Sequence, residues 1–385
     1  MRRQSSLFIG LHSILVLATA FAPRSKHGNG AHLRLREFQN PLWLSRVEQT
    51  TTNVLGGVES FEKWFSSVPG AKCNPSISHA AFGSLRGLEY KKGTTDLTNE
   101  KNCMTVPRSI VLCSDFSLPD WDLHLAENLW NEYSSGSSSK VSGYCSLLTL
   151  DSSLRDDAAG IPPSTAPHAL RHWSNEQKSQ LEEKPSGKRL LDLQKQQEEL
   201  WKGKFSKAKL GLSWEQFIWA MEVVHSRSFC GDFGFGRTSF PPLVSVLIPV
   251  AAAVACFFYF VEMNGQNDGI LIGLAALAAF PTIVNVATKS SPSAVLLPLI
   301  DSANHLEEAD SSIEYSPLTD SFSLAVGSNC LVEEGGRQQL YISYGRKKDT
   351  ELLLNYGFLP GISQEEKESS ADYRSRLAAA FLARN

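Results

Sequence analysis

The residues with the most chemical potential lie late in the chain. Asp301, Asn304 and His305 follow an apolar run that starts at Val295, and Tyr344 lies in Ile342-Ser343-Tyr344-Gly345. An Asn side chain offers a donor and an acceptor together, and a Tyr hydroxyl can both donate and accept. Such groups bind and orient polar ligands. Arg227, in His225-Ser226-Arg227-Ser228-Phe229, carries a guanidinium fork matched to a carboxylate. Tyr356 and Phe358, in Leu353-Leu354-Asn355-Tyr356-Gly357-Phe358, could wall a channel. Each also has an ordinary reading. A Tyr in a β-rich core is commonly a packed ring with a satisfied hydroxyl. An Arg at a helix end satisfies carbonyls. His225 reads as an ordinary helix residue. The joint occurrence of Asp-x-x-Asn-His, Ser-Tyr-Gly and Leu-Leu-x-Tyr-Gly-Phe sets these residues apart.

Several elements must hold them. Val295 to Leu299 reads as a short buried strand, with Asn304 and His305 in the tight turn after it, and Ser312 to Val332 alternates as short strands. Upstream, Leu85-Arg86-Gly87-Leu88 and the run ending at Val106-Pro107 read as strands, and Ser109 to Cys113 is β-like. The stretch from Trp121 puts Leu125 and Leu129 on one helix face. Asn175 to Leu200 predicts one long solvated helix. Ser213-Trp214-Glu215-Gln216 is a capping box that opens the helix leading to Arg227.

Together these residues resemble a SET domain of the Rubisco large-subunit methyltransferase type. The resemblance covers about Phe61 to Phe358 and is weak in the middle. It implies an α+β fold: a SET β-fold with a pseudoknot and an inserted helical region. It also implies a protein-lysine N-methyltransferase that uses S-adenosylmethionine. The implied cofactor-binding residues are Arg86, Gly87, Arg227, Asp301, Asn304, His305 and Tyr344. Tyr344 is the implied catalytic residue, and Tyr356 and Phe358 line the channel for the acceptor. Within the resemblance Arg227 meets the cofactor carboxylate, and Asp301 orients its amine. The family often has an acidic residue where Ser84 stands, and nothing is carried over there. Family members usually continue into a helical substrate-binding domain, whereas here a short tail with one helix from Ala371 to Arg384 follows. That departure keeps a second reading open, a non-catalytic SET-like scaffold. Histidine methylation is a variant of the first reading.

Composition narrows the partners. With 37 basic and 40 acidic residues the net charge is −3, which gives no electrostatic case for nucleic acid. Seven scattered cysteines without a Cys-x-x-Cys argue against a zinc site or a disulfide framework. No metal is expected, and the resemblance implies a lysine-bearing protein as the partner. Arg2 and Arg3, the apolar run Leu7 to Leu17 and Ala18-Thr19-Ala20 form a signal-like start. Phe21-Ala22-Pro23 and the basic stretch before Glu37 resemble the presequence junction of plastid-targeted proteins in algae with complex plastids.

Residues 243–261 and 270–288 carry no charge, and at about 1.5 Å rise per residue each is long enough to cross a bilayer. They predict an inserted two-helix transmembrane hairpin, with the catalytic domain on the stromal side of a plastid membrane or at another intracellular membrane. The expected organisation is a presequence over 1–40, SET segments over 55–117 and 294–360, a helical region over 118–230, the hairpin over 242–288 and a tail over 361–385.

Overall fold

A computed structural model describes residues 57–82, 85–91, 102–150, 162–208, 211–233, 292–334, 336–365 and 368–385, all in the compact unit Gln49–Asn385. Helix α1 runs over 57–67 and buries Phe61 and Phe65. Five strands follow: β1 Lys72–Cys73, β2 Ile77–Phe82, β3 Leu85–Tyr90, β4 Met104–Pro107 and β5 Leu112–Asp115. The helical region comprises α2 Trp121–Ser134, α3 Ser142–Leu148, α4 Asn175–Leu181, α5 Pro185–Phe205 and α6 Trp214–Arg227. The chain then adds β6 Phe229–Gly231, β7 Ser293–Leu296, β8 Asn304–His305, β9 Ser311–Ser316, β10 Ser321–Val326, β11 Leu331–Glu334 and β12 Arg337–Ile342. It ends with helix α7, Ser370–Arg384.

Three sheets result. Their orders are β1-β4-β10-β9, β11-β12-β3-β2 and β5-β7-β6. Each joins residues from both sides of the helical region. In the second sheet β12 pairs antiparallel with β3 and, at its end, parallel with β8, in the register Tyr341↔Asn304 and Ile342↔His305. Side chains at β3, β8 and the end of β12 are thereby brought into one neighbourhood.

The expected α+β fold with an inserted membrane hairpin is corrected. The described chain is mixed α/β with several sheets, and among the described residues no helix is long and apolar enough to cross a membrane. The longest, α5, has 21 residues but carries Lys, Arg, Asp and Glu along its length. The segments 243–261 and 270–288 lie outside the described residues, as does the presequence over 1–40.

The single helix expected over Asn175–Leu200 is two. Pro185 opens α5 at its first turn, where a residue without an N–H is tolerated but cannot continue α4. The second helix is also less solvated than its charges suggest, because Leu190, Leu191 and Trp201 are buried. Both capping boxes, at Ser174 and Ser213, form with the side chain and backbone of the third residue. The stretch Ser109 to Cys113 is split between a short 3-10 turn, Arg108–Ile110, and β5.

Two apolar clusters hold the unit. The larger joins α1, α2, α3 and α6 to the sheets. The smaller gathers Leu181, Leu190, Leu353, Leu359, Tyr373, Leu377 and Phe381. The C-terminal helix α7 therefore packs against α4 and α5 as part of a core.

Candidate functional site

Strand β7 ends at Leu296, and the backbone then turns sharply. Leu299 has φ 76° and ψ −51°, a conformation L side chains rarely adopt, and a 3-10 turn over Ile300–Ser302 follows. This turn delivers Asp301, Ala303, Asn304 and His305 to the end of β12. Asp301 is buried, at 4 % exposure. Its Oδ2 accepts from the Tyr144 hydroxyl at 2.5 Å and lies 3.6 Å from Arg227 Nη1. Arg227 Nη1 also donates to the Asp301 carbonyl at 3.0 Å. Burial pushes the Asp301 carboxyl up, and the Arg227, Tyr144, Arg86 and His79 groups pull it back only in part. The second oxygen, Oδ1, has no hydrogen-bond partner among the described residues.

Asn304 and Gly87 meet across β3 and β8. Asn304 Nδ2 donates to the Arg86 carbonyl at 3.2 Å. A Cβ on Gly87 would sit 2.6 Å from Gln339 Nε2 and 2.8 Å from Asn304 Nδ2. The missing side chain at 87 thus admits two amide groups of the chain itself. Arg86 Nη1 donates to the Leu147 carbonyl at 3.2 Å, so it ties β3 to α3.

Tyr344 stands beside these groups. Its hydroxyl donates to the Ala303 carbonyl at 2.8 Å, and its N–H donates to His305 Nδ1 at 3.1 Å. Accepting at Nδ1 requires a neutral imidazole there, and burial lowers the His305 pKa in the same direction. The rings of His305 and Tyr344 stack at 4.9 Å and 19°. Tyr356 also stacks with Tyr344, at 5.5 Å, and Phe358 lies 6.1 Å from both Tyr356 and His305. Phe229, from β6, meets the Tyr344 ring edge-on at 6.4 Å. Burial raises the Tyr344 phenol to about 12, with Arg227 lowering it and Asp301 raising it. Burial raises Tyr356 as well.

Gly357 sets the approach of Tyr356 and Phe358. It closes a π-helical turn, Leu352–Tyr356, at φ 77°, and a Cβ there would lie 2.2 Å from the His168 carbonyl carbon. Only glycine meets both demands.

All nine residues expected at the site therefore fall into one linked arrangement: Arg227 with Asp301, Arg86 and Gly87 with Asn304, and Tyr344 with His305, Tyr356 and Phe358. Their partners are not all those expected. The Arg227 fork reaches Asp301. Tyr144, Gln339 and His79 were missed. The acceptor of the Tyr144 hydroxyl lies 157 residues on, beyond the reach of any local pattern. A separate concavity of about 570 Å³ is lined by Trp64, Tyr133, Ser142 and Cys145 among others, and none of the nine residues lines it.

Two of these groups have chemistry suited to the donor that the SET resemblance implies. Asp301 Oδ1 is a buried acceptor suited to an ammonium group, and the Asn304 amide is suited to a heterocycle edge. No protein-family model matches the chain, and no curated protein matches it.

Proposed function

We propose that the protein is an S-adenosylmethionine-dependent protein-lysine N-methyltransferase with Tyr344 at the point of transfer. The observation that carries this reading is the Tyr344 hydroxyl donated to the Ala303 carbonyl, next to Asn304-His305 and inside the ring stack with His305 and Tyr356. When bound, the cofactor supplies an electrophilic methyl group. With its proton committed to Ala303, the Tyr344 oxygen presents lone pairs to the channel. Lone pairs orient the N–H of a neutral amine and attract polarised C–H groups weakly. A phenol held at about 12 stays neutral at physiological pH, so it orients the amine and does not deprotonate it. The lysine loses its proton to water beforehand. His305, Tyr356 and Phe358 exclude water and fix the direction of approach, which in-line transfer requires.

Two measurements on the full chain test the reading. S-adenosylmethionine at a hundredfold excess over its Kd is expected to stabilise the protein by about 2.7 kcal/mol, seen as a thermal shift. Labelled methyl groups are expected to appear on lysines of proteins from the source organism. Tyr344→Phe keeps the shift and loses transfer, whereas Asn304→Ala loses the shift. A wild-type protein with neither response is a non-catalytic scaffold, and the proposal fails.

A further inference from the structure

We propose that Tyr144 is a positioning residue: it holds the strained turn Leu299–Ala303 so that the Ala303 carbonyl fixes the Tyr344 hydroxyl. This inference rests on the function proposed above. Leu299 is a branched residue in the left-handed region, and it is 3 % exposed. Such a conformation persists only where surrounding contacts over-determine it, and it recurs at functional sites. The turn's own backbone bonds run from Asp301 N–H to Leu297 O at 3.1 Å, from Ser302 N–H to Leu299 O at 3.0 Å and from Ala303 N–H to Ile300 O at 3.2 Å.

What anchors the turn from outside is Asp301. Its carboxylate takes the Tyr144 hydroxyl at 2.5 Å, and its carbonyl takes Arg227 Nη1 at 3.0 Å. Tyr144 is fully buried on α3, an element packed into the larger core. Two residues beyond Asp301, the Ala303 carbonyl receives the Tyr344 hydroxyl at 2.8 Å. A line of contact therefore runs from the α3 core through Tyr144, Asp301 and Ala303 to Tyr344. Tyr144 acts through Asp301, which accepts its hydroxyl. Catalytic groups tolerate about 0.5 Å of displacement. A relaxed turn would move the Ala303 carbonyl and swing the Tyr344 oxygen off line.

Tyr144→Phe keeps the ring and removes the anchoring hydroxyl. In the full chain, kcat for labelled methyl transfer is expected to fall on the order of tenfold to a hundredfold, with KM for S-adenosylmethionine little changed. A kcat that Tyr144→Phe leaves unchanged overturns the inference and leaves the proposed function standing. Hydrogen exchange over 299–305, read without ligand, is expected to speed up in Tyr144→Phe. Unchanged exchange there overturns the inference even if wild-type protein transfers no methyl group.

Discussion

Residue types at the site gain meaning from what lies within hydrogen-bond reach. Gly87 illustrates this. From its type alone it reads as a place where a ligand meets bare backbone, yet the space is filled by the Gln339 and Asn304 amides. Both obstructing atoms are the ends of side chains, so Gly87→Ala is expected to fold with the two amides displaced. Overpacking of this kind costs about 1–3 kcal/mol. Because Asn304 moves, the variant is expected to lose a larger share of the S-adenosylmethionine thermal shift than of its own stability. A normal shift in a destabilised protein would detach Asn304 from cofactor binding. Arg227 makes the same point. A fork suited to a carboxylate finds one, but it belongs to Asp301 of the same chain.

Among elements, α2, α5 and α6 converge on a buried acid. Asp122 at the start of α2 takes Lys204 from α5 and His225 from α6, the latter at 3.1 Å. Burial alone pushes Asp122 up, but His225 and Lys204 outweigh it and hold the carboxyl at about 2, below its usual 3.8. A folded-state pKa below the unfolded one stabilises the protein fully above about pH 4, and the stabilisation fades as pH falls towards 2. The shift corresponds to about 2 kcal/mol. Asp122→Asn is therefore expected to be less stable near neutrality, with the gap to wild type closing through that acid window. Urea unfolding at several pH values checks it, and a constant gap would assign the loss to packing instead. His225 lies two residues before Arg227 on α6, so this cluster also sets the end of the helix that carries Arg227 to Asp301.

At the scale of the whole molecule, early and late segments are interleaved. β3 pairs with β12, β4 with β10, and β5 with β7, so residues before and after the helical region share every sheet. Residues 49–233 and 292–385 co-expressed as two separate chains are expected to stay associated through gel filtration under native conditions. Fragments that separate would contradict this topology. The smaller core adds a second tie, since α7 at the C-terminus closes over α4 and α5 through Tyr373, Leu377 and Phe381.

Local order was legible wherever it depended on local physics. The capping box at Ser213 opens α6, the alternating run after Ser312 forms β9 and β10, and the helix expected from Ala371 to Arg384 is there. The grouping of Asn304, Tyr344 and Tyr356 was an expectation of the SET resemblance that three short motifs carry, and no local rule supplies it. Other features depended on contacts far apart in sequence. Tyr144 finds Asp301 across 157 residues, and the positive φ at Leu299 belongs to a turn anchored from other elements. The amides filling the space at Gly87 come from β8 and β12. Periodicity and capping act over a few residues, so the chain itself determines them. Partner choice, strain and burial of charge arise only when distant segments pack, and there tertiary structure decides.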